Sequence, residues 1–467
     1  MLALGIDVGT TSTKVVVAAA DGPLLVRSRP TPRDAGRLVA DVLALVSEVV
    51  AASPAPPQAV GIASMAESGW LLDRSGEALG PMVSWTESRS GQEVQALVER
   101  VGWDALFEAT GVRPGPKPPL AYWLELRREQ PDLVRRVRWA GAADLVHLAL
   151  TGQLVSDHTL AGRSLAYRLP PAGQPCAPVF DPELLAEAGM TPDQLPRVYR
   201  PGDPLARVLP GRPLAGCPVL VAGHDHQVAA WAAGVRQRSQ VADSVGTAEA
   251  VLSLTEPVTD RARLGRDGMS VTRAVDGVTE AVVVGSPSAG AFVQQLAEVY
   301  ANGDVDRLLA GLPESGLASG SGLLPYPRGR QAPDPDPQAR VRSWGPGPLP
   351  APGTRALEAV CCQAQWLVQR QAEQVSACDD LVVIGEAVRR SLVWQRVKAS
   401  LADRPARLVT APEPVACGAA LLALVRAGLA DPDSTTLPTV GLEPYPGLSQ
   451  PYRHHLRSFI AAARQRV

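Results

Sequence analysis

Lysine is scarce in this chain: Lys14, Lys117 and Lys398 are all it has, and arginine supplies the rest of 45 basic residues. Against 47 acidic residues the formal net charge is −2, so the basic excess that binds nucleic acid or an anionic membrane is missing. No run of about 20 apolar residues occurs, and no basic segment followed by an apolar stretch opens the chain. A cytoplasmic location is therefore the expectation, with neither nucleic acid nor membrane as a partner. Cys176, Cys217, Cys361, Cys362, Cys378 and Cys417 show no C-x-x-C spacing and read as free thiols. What remains is a globular composition, and 467 residues suit two domains of about 200 residues each.

The chain says Val-Gly-Thr twice, at Val8-Gly9-Thr10 and at Val245-Gly246-Thr247, each time between two apolar runs of strand character. A Gly-Thr turn offers backbone N–H groups and a hydroxyl to an anion, because glycine permits a tight turn and close approach. Two such turns, one in each half, suggest two domains gripping one polyphosphate.

Around the first copy, Leu2–Asp7 and Lys14–Ala20 read as paired strands, Asp21-Gly22 as a hairpin turn, and Leu24–Arg27 as a third strand. Leu38, Val42, Leu45, Val46 and Val49 place one apolar face on a helix from about Ala35 to Ala51, and Ala59–Ala63 is a further strand. This order resembles the start of a ribonuclease-H-like domain. The chain from Gln92 to Leu150 is mostly helical by pattern, whereas Leu165–Leu169 and Val198–Val208 look extended. Pro218–Ala222 is expected as a buried strand ending at Gly223, with a helix beginning at Gln227. The second half restarts with strands around Gly246, followed by helices over Ala289–Val299, Arg355–Val375, Leu392–Leu401 and Val415–Val425 and a strand at Leu381–Ile384. The proline-rich stretch Pro325–Pro352 is placed inside the second domain, because apolar periodicity resumes directly after it. The linker is expected near Gly234–Ser239, giving domains 1–236 and 237–467.

Four constellations can carry chemistry. In Asp7-Val8-Gly9-Thr10-Thr11-Ser12-Thr13-Lys14, an acid at a strand end adjoins a hydroxyl-rich turn and a cation. Such an acid can hold Mg²⁺, usually through water, although a polar hairpin is the plain alternative. In Gly223-His224-Asp225-His226, the acid sits at the carboxyl edge of a strand, where ligands collect in α/β proteins. Asp225 can take a proton from a hydroxyl attacking phosphorus, or it can cap the following helix for about 1 kcal/mol. His224-x-His226 also reads as a hydrolase metal pair, but His147, His158, His454 and His455 show no supporting spacing. Between Gly61 and Arg89, residues Trp85, Glu87 and Arg89 offer an apolar surface with polar anchors, or else packing and an ion pair. Finally, Gly385-Glu386 and Glu413–Ala420 put small residues where a flat ring can approach or where helices pack closely.

Together and in order, these residues resemble the FGGY carbohydrate kinase family of the sugar kinase/Hsp70/actin superfamily. The matching stretches are Gly5–Lys14, Leu71 to Arg89, Leu150-Thr151-Gly152 with Asp157-His158, Gly223-x-Asp225, Gly246-Thr247, and Glu413 with Gly418-Ala419-Ala420. The resemblance implies an α/β fold of two ribonuclease-H-like, actin-like ATPase domains with a deep cleft between them. It implies ATP-dependent phosphorylation of a small sugar or polyol, with ATP and Mg²⁺ as cofactors. Asp225 would be the general base and Asp7 the acid near the metal. Gly9, Thr10, Thr11, Ser12, Lys14, Gly246, Thr247, Gly385, Glu386 and Gly418 would face the nucleotide, and Glu67, Ser68, Trp85, Glu87, Arg89, Asp225 and His226 the sugar.

Three departures from the family pattern bear on function. Gly385-Glu386-Ala387 stands where a glycine pair or triplet is usual, so Glu386 can repel phosphate or point to solvent. A degenerate kinase that only binds sugar or a partner protein is the alternative it raises. Met65-Ala66-Glu67 carries no residue pair of a well-known branch, and Glu87 replaces the usual aspartate. A carboxylate at Glu67 would disfavour an acidic sugar unless it faces away from the cleft. A homodimer is left open.

Overall fold

In the computed structural model, which describes residues 1–87, 89, 91–171, 173–287, 289–310, 320–347, 351–375 and 377–465, the opening strands form the sheet that their pattern predicts. Strands β1 (Ala3–Val8), β2 (Ser12–Ala19) and β3 (Gly22–Pro30) are antiparallel neighbours, and β4 (Val60–Ser64) runs parallel to β1. With β5 (Ala206–Arg207) and β6 (Pro218–His224) the order is β3-β2-β1-β4-β6-β5. Helix α1 (Ala35–Ala52) starts where Asp34 Oδ1 accepts the Arg37 N–H at 2.7 Å, which satisfies one of the free donors of the first turn. Its apolar face (Leu38, Val42, Leu45, Val46, Val49) is buried against Leu4, Ile6 and Val8 of β1.

The opposite face of β1 carries small residues, for a different reason. A Cβ added at Gly5 would lie 1.8 Å from the Ala416 carbonyl oxygen, and one at Gly61 would lie 1.9 Å from that of Ala419. Glycine is required there so that a helix from the other end of the chain can lie flat on the sheet. Helices α2 (Ala142–Thr151) and α3 (Asp225–Ala232) complete the parts of the first half that frame the site.

The second half repeats the plan. Strands β7 (Gln240–Val245), β8 (Glu249–Thr255), β9 (Ser270–Arg273), β10 (Glu280–Ser286), β11 (Asp380–Ile384), β12 (Ala406–Val409) and β13 (Thr439–Gly441) lie in the order β9-β10-β8-β7-β11-β12-β13. Here β7 is antiparallel to β8 and parallel to β11, as β1 is to β2 and β4. Helix α4 (Pro352–Gln374) covers one face of this sheet. Helix α5 (Pro414–Arg426) joins α3 in a core between the two sheets that includes Ala3, Ala63, Val228, Val382, Ile384, Ala416 and Ala419. The two-domain, ribonuclease-H-like α/β architecture expected from sequence is the one present.

Some expectations are corrected. Leu165–Leu169 forms no strand: Leu165 has φ +62°, and the Ala166 N–H donates to Ser164 Oγ in a turn. Leu165, Ala166 and Tyr167 are buried in a largely helical cluster and Leu169 in the core of the second sheet, a burial that sequence alone reads as a strand. Of Val198–Val208, only Arg197–Tyr199 and Ala206–Arg207 are extended, with a turn between them. Strand β6 continues through Gly223 to His224 with a register shift after Val221, and α3 starts at Asp225, two residues before the expected Gln227. The stretch after Pro325 packs inside the second half: buried Arg330 donates to the Ala463 carbonyl, and Gln363 of α4 donates to that of Ala332. Residues 348–350 of that stretch lie outside the described residues. No helix among the described residues is long and apolar enough to cross a membrane.

Candidate active site

The edges of β1, β4 and β6 end side by side, with Val8 paired to Ser64 and Ser64 to His224. The loops that follow these strands therefore converge. They carry Thr10, Glu67 and Asp225.

Thr10 and Thr11 are exposed at the first turn, and the Gly9 carbonyl accepts the Thr31 hydroxyl at 2.8 Å. The Gly9 N–H donates to Ser12 O at 3.1 Å, and the Gly246 N–H of the second turn donates to Ala248 O at 2.9 Å. Each glycine N–H is thus bonded inside its own turn. Thr10, Thr11 and Thr247 are exposed, as is Gly246. Beneath the second turn, buried Lys398 Nζ bonds Asp243 of β7 and Glu249 of β8, holding the strands on either side of Gly246 in one position.

Asp7 is buried, and its Oδ1 has no hydrogen-bond partner among the described residues. Burial pushes its carboxyl up to about 7; Asp225 and Glu413 add to this, and Lys14 opposes it. An orphaned, oxygen-only donor beside a second carboxylate suits a hydrated Mg²⁺. Lys14 Nζ is 2.6 Å from Glu413 Oε2, at the start of α5. Burial alone would lower its pKa, but Glu413, Asp7 and Glu386 raise it.

Asp225 opens α3. Its Oδ1 accepts the His226 N–H at 2.7 Å and lies 3.2 Å from His224 Nε2 and 3.9 Å from His226 Nε2. His226 Nδ1 in turn reaches Ser244 Oγ of β7 at 3.0 Å, so the residue beside the acid touches the strand that leads to Gly246. Burial lowers the His224 pKa to about 4 and keeps its ring neutral. The bend before it is held by Thr159, whose Oγ1 accepts the His224 N–H at 2.8 Å and donates to Asp157 Oδ1 at 2.6 Å. A Cβ at Gly223 would lie 2.4 Å from that hydroxyl. His224, Asp225 and His226 are also near enough to one another to share a cation, but this is one compact edge with no further ligand residue grouped with it among the described residues.

The expected sugar-side residues divide. Trp85 Nε1 donates to Thr10 Oγ1 at 3.0 Å, so the indole stands directly on the first turn. Ser68 is buried, and its hydroxyl accepts the Trp85 N–H. Glu67, at φ +67°, accepts from Arg163 at 2.6 Å. Glu87 is engaged by both Arg33 and Arg89, and the Arg89 guanidinium lies 5.3 Å from the Tyr122 ring centroid. That is the ion-pair alternative for Glu87 and Arg89.

On the nucleotide side, Gly385 has φ +153° and approaches β7 so closely that a Cβ would lie 2.3 Å from Val245 O. Glu386 is gripped through both oxygens by Arg389 at 2.7 and 2.8 Å. That bond holds its carboxyl below the usual range and offsets the charge expected to repel phosphate. A Cβ at Gly418 would lie 2.8 Å from Val228 O and 2.9 Å from the Ala232 Cβ of α3, so glycine there lets the two helices pack closely.

Sequence reasoning missed the Thr159–Asp157 brace, the Arg163 partner of Glu67 and the His226–Ser244 link. Asp157 was visible within a matching motif, but its role depends on a contact 65 residues away in sequence. No local signal marks the other two.

Known proteins resemble this chain over most of its length. The family model for the FGGY family of carbohydrate kinases matches with its N-terminal domain over residues 2–232 and its C-terminal domain over residues 244–427. A xylulose kinase from Streptomyces rubiginosus is 27% identical over 442 residues, covering 90% of this chain and 86% of that protein. An L-fuculokinase from Escherichia coli (strain K12) is 27% identical over 200 residues, 41% of each. The crystal structure of a xylulose kinase from Rhodospirillum rubrum superposes with a TM-score of 0.83 at 23% identity, over 99% of this chain and 98% of that one.

Proposed function

The chain belongs to the FGGY family of carbohydrate kinases, and from that premise we propose that it transfers the γ-phosphoryl group of ATP to a hydroxyl of a small sugar or polyol, with Asp225 as general base. The observation that carries this is the position of Asp225. It lies at the edge of the first sheet, within the field of Asp7, while its neighbour His226 touches Ser244 near the second turn.

Phosphoryl transfer asks the protein for positioning and charge neutralisation more than covalent participation. Asp225 Oδ2 takes the proton of the attacking hydroxyl while Oδ1 is held by the His226 amide. His224, neutral and not exposed, stands 3.2 Å from the same Oδ1 and does not compete for the proton. Trp85 provides an apolar face for the carbon skeleton. Thr10, Thr11 and Thr247 offer hydroxyls to the phosphates, Gly385 leaves backbone room for the nucleoside, and Lys14 balances charge at the first turn. Asp7 would hold Mg²⁺ through its water, and the ion when bound offsets phosphate charge. Lobes closing on both substrates exclude water, which otherwise competes as acceptor.

The test is a screen of pentuloses, hexuloses, tetritols, pentitols, glycerol and their acid derivatives with Mg-ATP, following ADP release. Acceptor-dependent ADP release is expected for at least one. A protein that binds sugar but releases no ADP with any acceptor contradicts the reading.

A further inference from the structure

Of the three lysines, Lys398 is locked in a buried ion triad and Lys14 is paired with Glu413. Lys117 alone has no carboxylate partner among the described residues; its ammonium stands 5.3 Å from the ring centroid of Trp85, the indole bonded to Thr10. The charges it senses are Glu67, Arg163, Arg113 and Arg328. Arg163 is consumed by Glu67 at 2.6 Å. Arg113 reaches only a backbone oxygen among the described residues, that of Gln331 in the second half at 3.3 Å. Neither Arg113 nor Arg328 has an acidic partner among the described residues. The groups that act most strongly on Lys117 are thus one carboxylate and three guanidinium groups, in a chain whose net charge is −2.

Excess charge of one sign is costly, and it focuses attraction on an incoming ion of the other sign. The same cluster adjoins the proposed base, since Glu67 and Arg163 act on His224 as well as on Lys117. It lies on the Trp85 side of the first turn, whereas Lys14, Glu386 and Gly385 lie towards the second sheet.

We propose that the acceptor carries an anionic group, a carboxylate or a phosphate ester, away from the reacting hydroxyl, and that Lys117, Arg113 and Arg328 hold it. This rests on the kinase reading above and names its substrate class. It also reverses the expectation drawn from Glu67, whose charge Arg163 cancels. Desolvation, followed by the like charges of Arg163, Arg113 and Arg328, holds the Lys117 ammonium below its ordinary pKa despite Glu67. A bound anion would relieve that repulsion.

The experiment compares acceptors of one carbon skeleton: the neutral polyol or sugar, its aldonate and its terminal phosphate ester. kcat/KM is measured by ADP release in the full-length protein. An anionic acceptor is expected to be preferred at least tenfold at low ionic strength, with the preference shrinking as salt is added. In Lys117→Met the anionic-to-neutral ratio should fall about tenfold or more, and in Lys117→Arg it should largely return. Turnover of the aldonate alone identifies a carboxylate, and turnover of the ester alone a phosphate. A neutral acceptor used as well or better, with turnover that Asp225→Asn abolishes, overturns this proposal and leaves the kinase standing. A Lys117→Met effect confined to the KM for ATP also overturns it. No ADP release with any acceptor of either class removes both.

Discussion

Replacing Asp7 by asparagine should make the metal-free protein more stable above neutral pH, and the gain should itself depend on pH. Asp7 is buried with one orphaned oxygen, and its carboxyl is pushed from 3.8 up to about 7. At ~1.4 kcal/mol per tenfold change in proton affinity, ionising it in the folded state costs about 4 kcal/mol. The sign follows from where protons are bound. Below about pH 4 the carboxyl is protonated in both states and no penalty exists. As pH rises to 7 the unfolded chain releases its proton and the folded one retains it, so stability is lost across that window. Asparagine does not titrate. Asp144, also raised to about 7 by burial, adds its own pH dependence, but it is present in both proteins and cancels in the difference. Thermal and urea unfolding in EDTA between pH 4.5 and 8.5 should show Asp7→Asn gaining steadily, towards about 4 kcal/mol at the alkaline end. Excess Mg-ATP should reverse the order, because binding to the folded state stabilises the wild type. A difference that does not change with pH, or a variant less stable at pH 8 without metal, would refute the reasoning.

Lys398→Met strands two buried carboxylates beneath the second turn; removing one member of such a cluster costs ~3–5 kcal/mol, and a melting temperature within a degree of the wild type would contradict that. Thr159→Val leaves the His224 amide and Asp157 without their shared partner; kcat should fall about tenfold with the KM for ATP unchanged, measured by steady-state kinetics. Glu386→Ala should move the KM for ATP by no more than about twofold, since Arg389 already offsets that exposed charge; a tenfold tightening would show that the glutamate does repel phosphate.

The architecture was legible because its signals are local. Leu38 through Val49 announce a helix by spacing, and the paired Gly-Thr turns announce a repeated strand plan. The alanine-rich run Val415–Val425 was readable as a helix, but not as one lying on β1 and β4, because that contact is specified by Gly5 and Gly61, about 360 to 410 residues away. The acid at Asp225 was found from its place after an apolar strand. Its supports, Thr159 and Ser244, were not, since each is an ordinary hydroxyl until folding brings it to a histidine. Glu67 shows the limit most clearly. Its charge reads as a recognition feature in sequence and is cancelled in space by Arg163, which no spacing rule connects to it.

The account turns on a carboxylate, Asp225, that takes the proton of the attacking hydroxyl. Asp225→Asn, with its fold confirmed by melting and its Mg-ATP affinity by calorimetry, should lose about two to four orders of magnitude in acceptor-dependent ADP release. An asparagine variant that binds ATP and still turns over near the wild-type rate would contradict it.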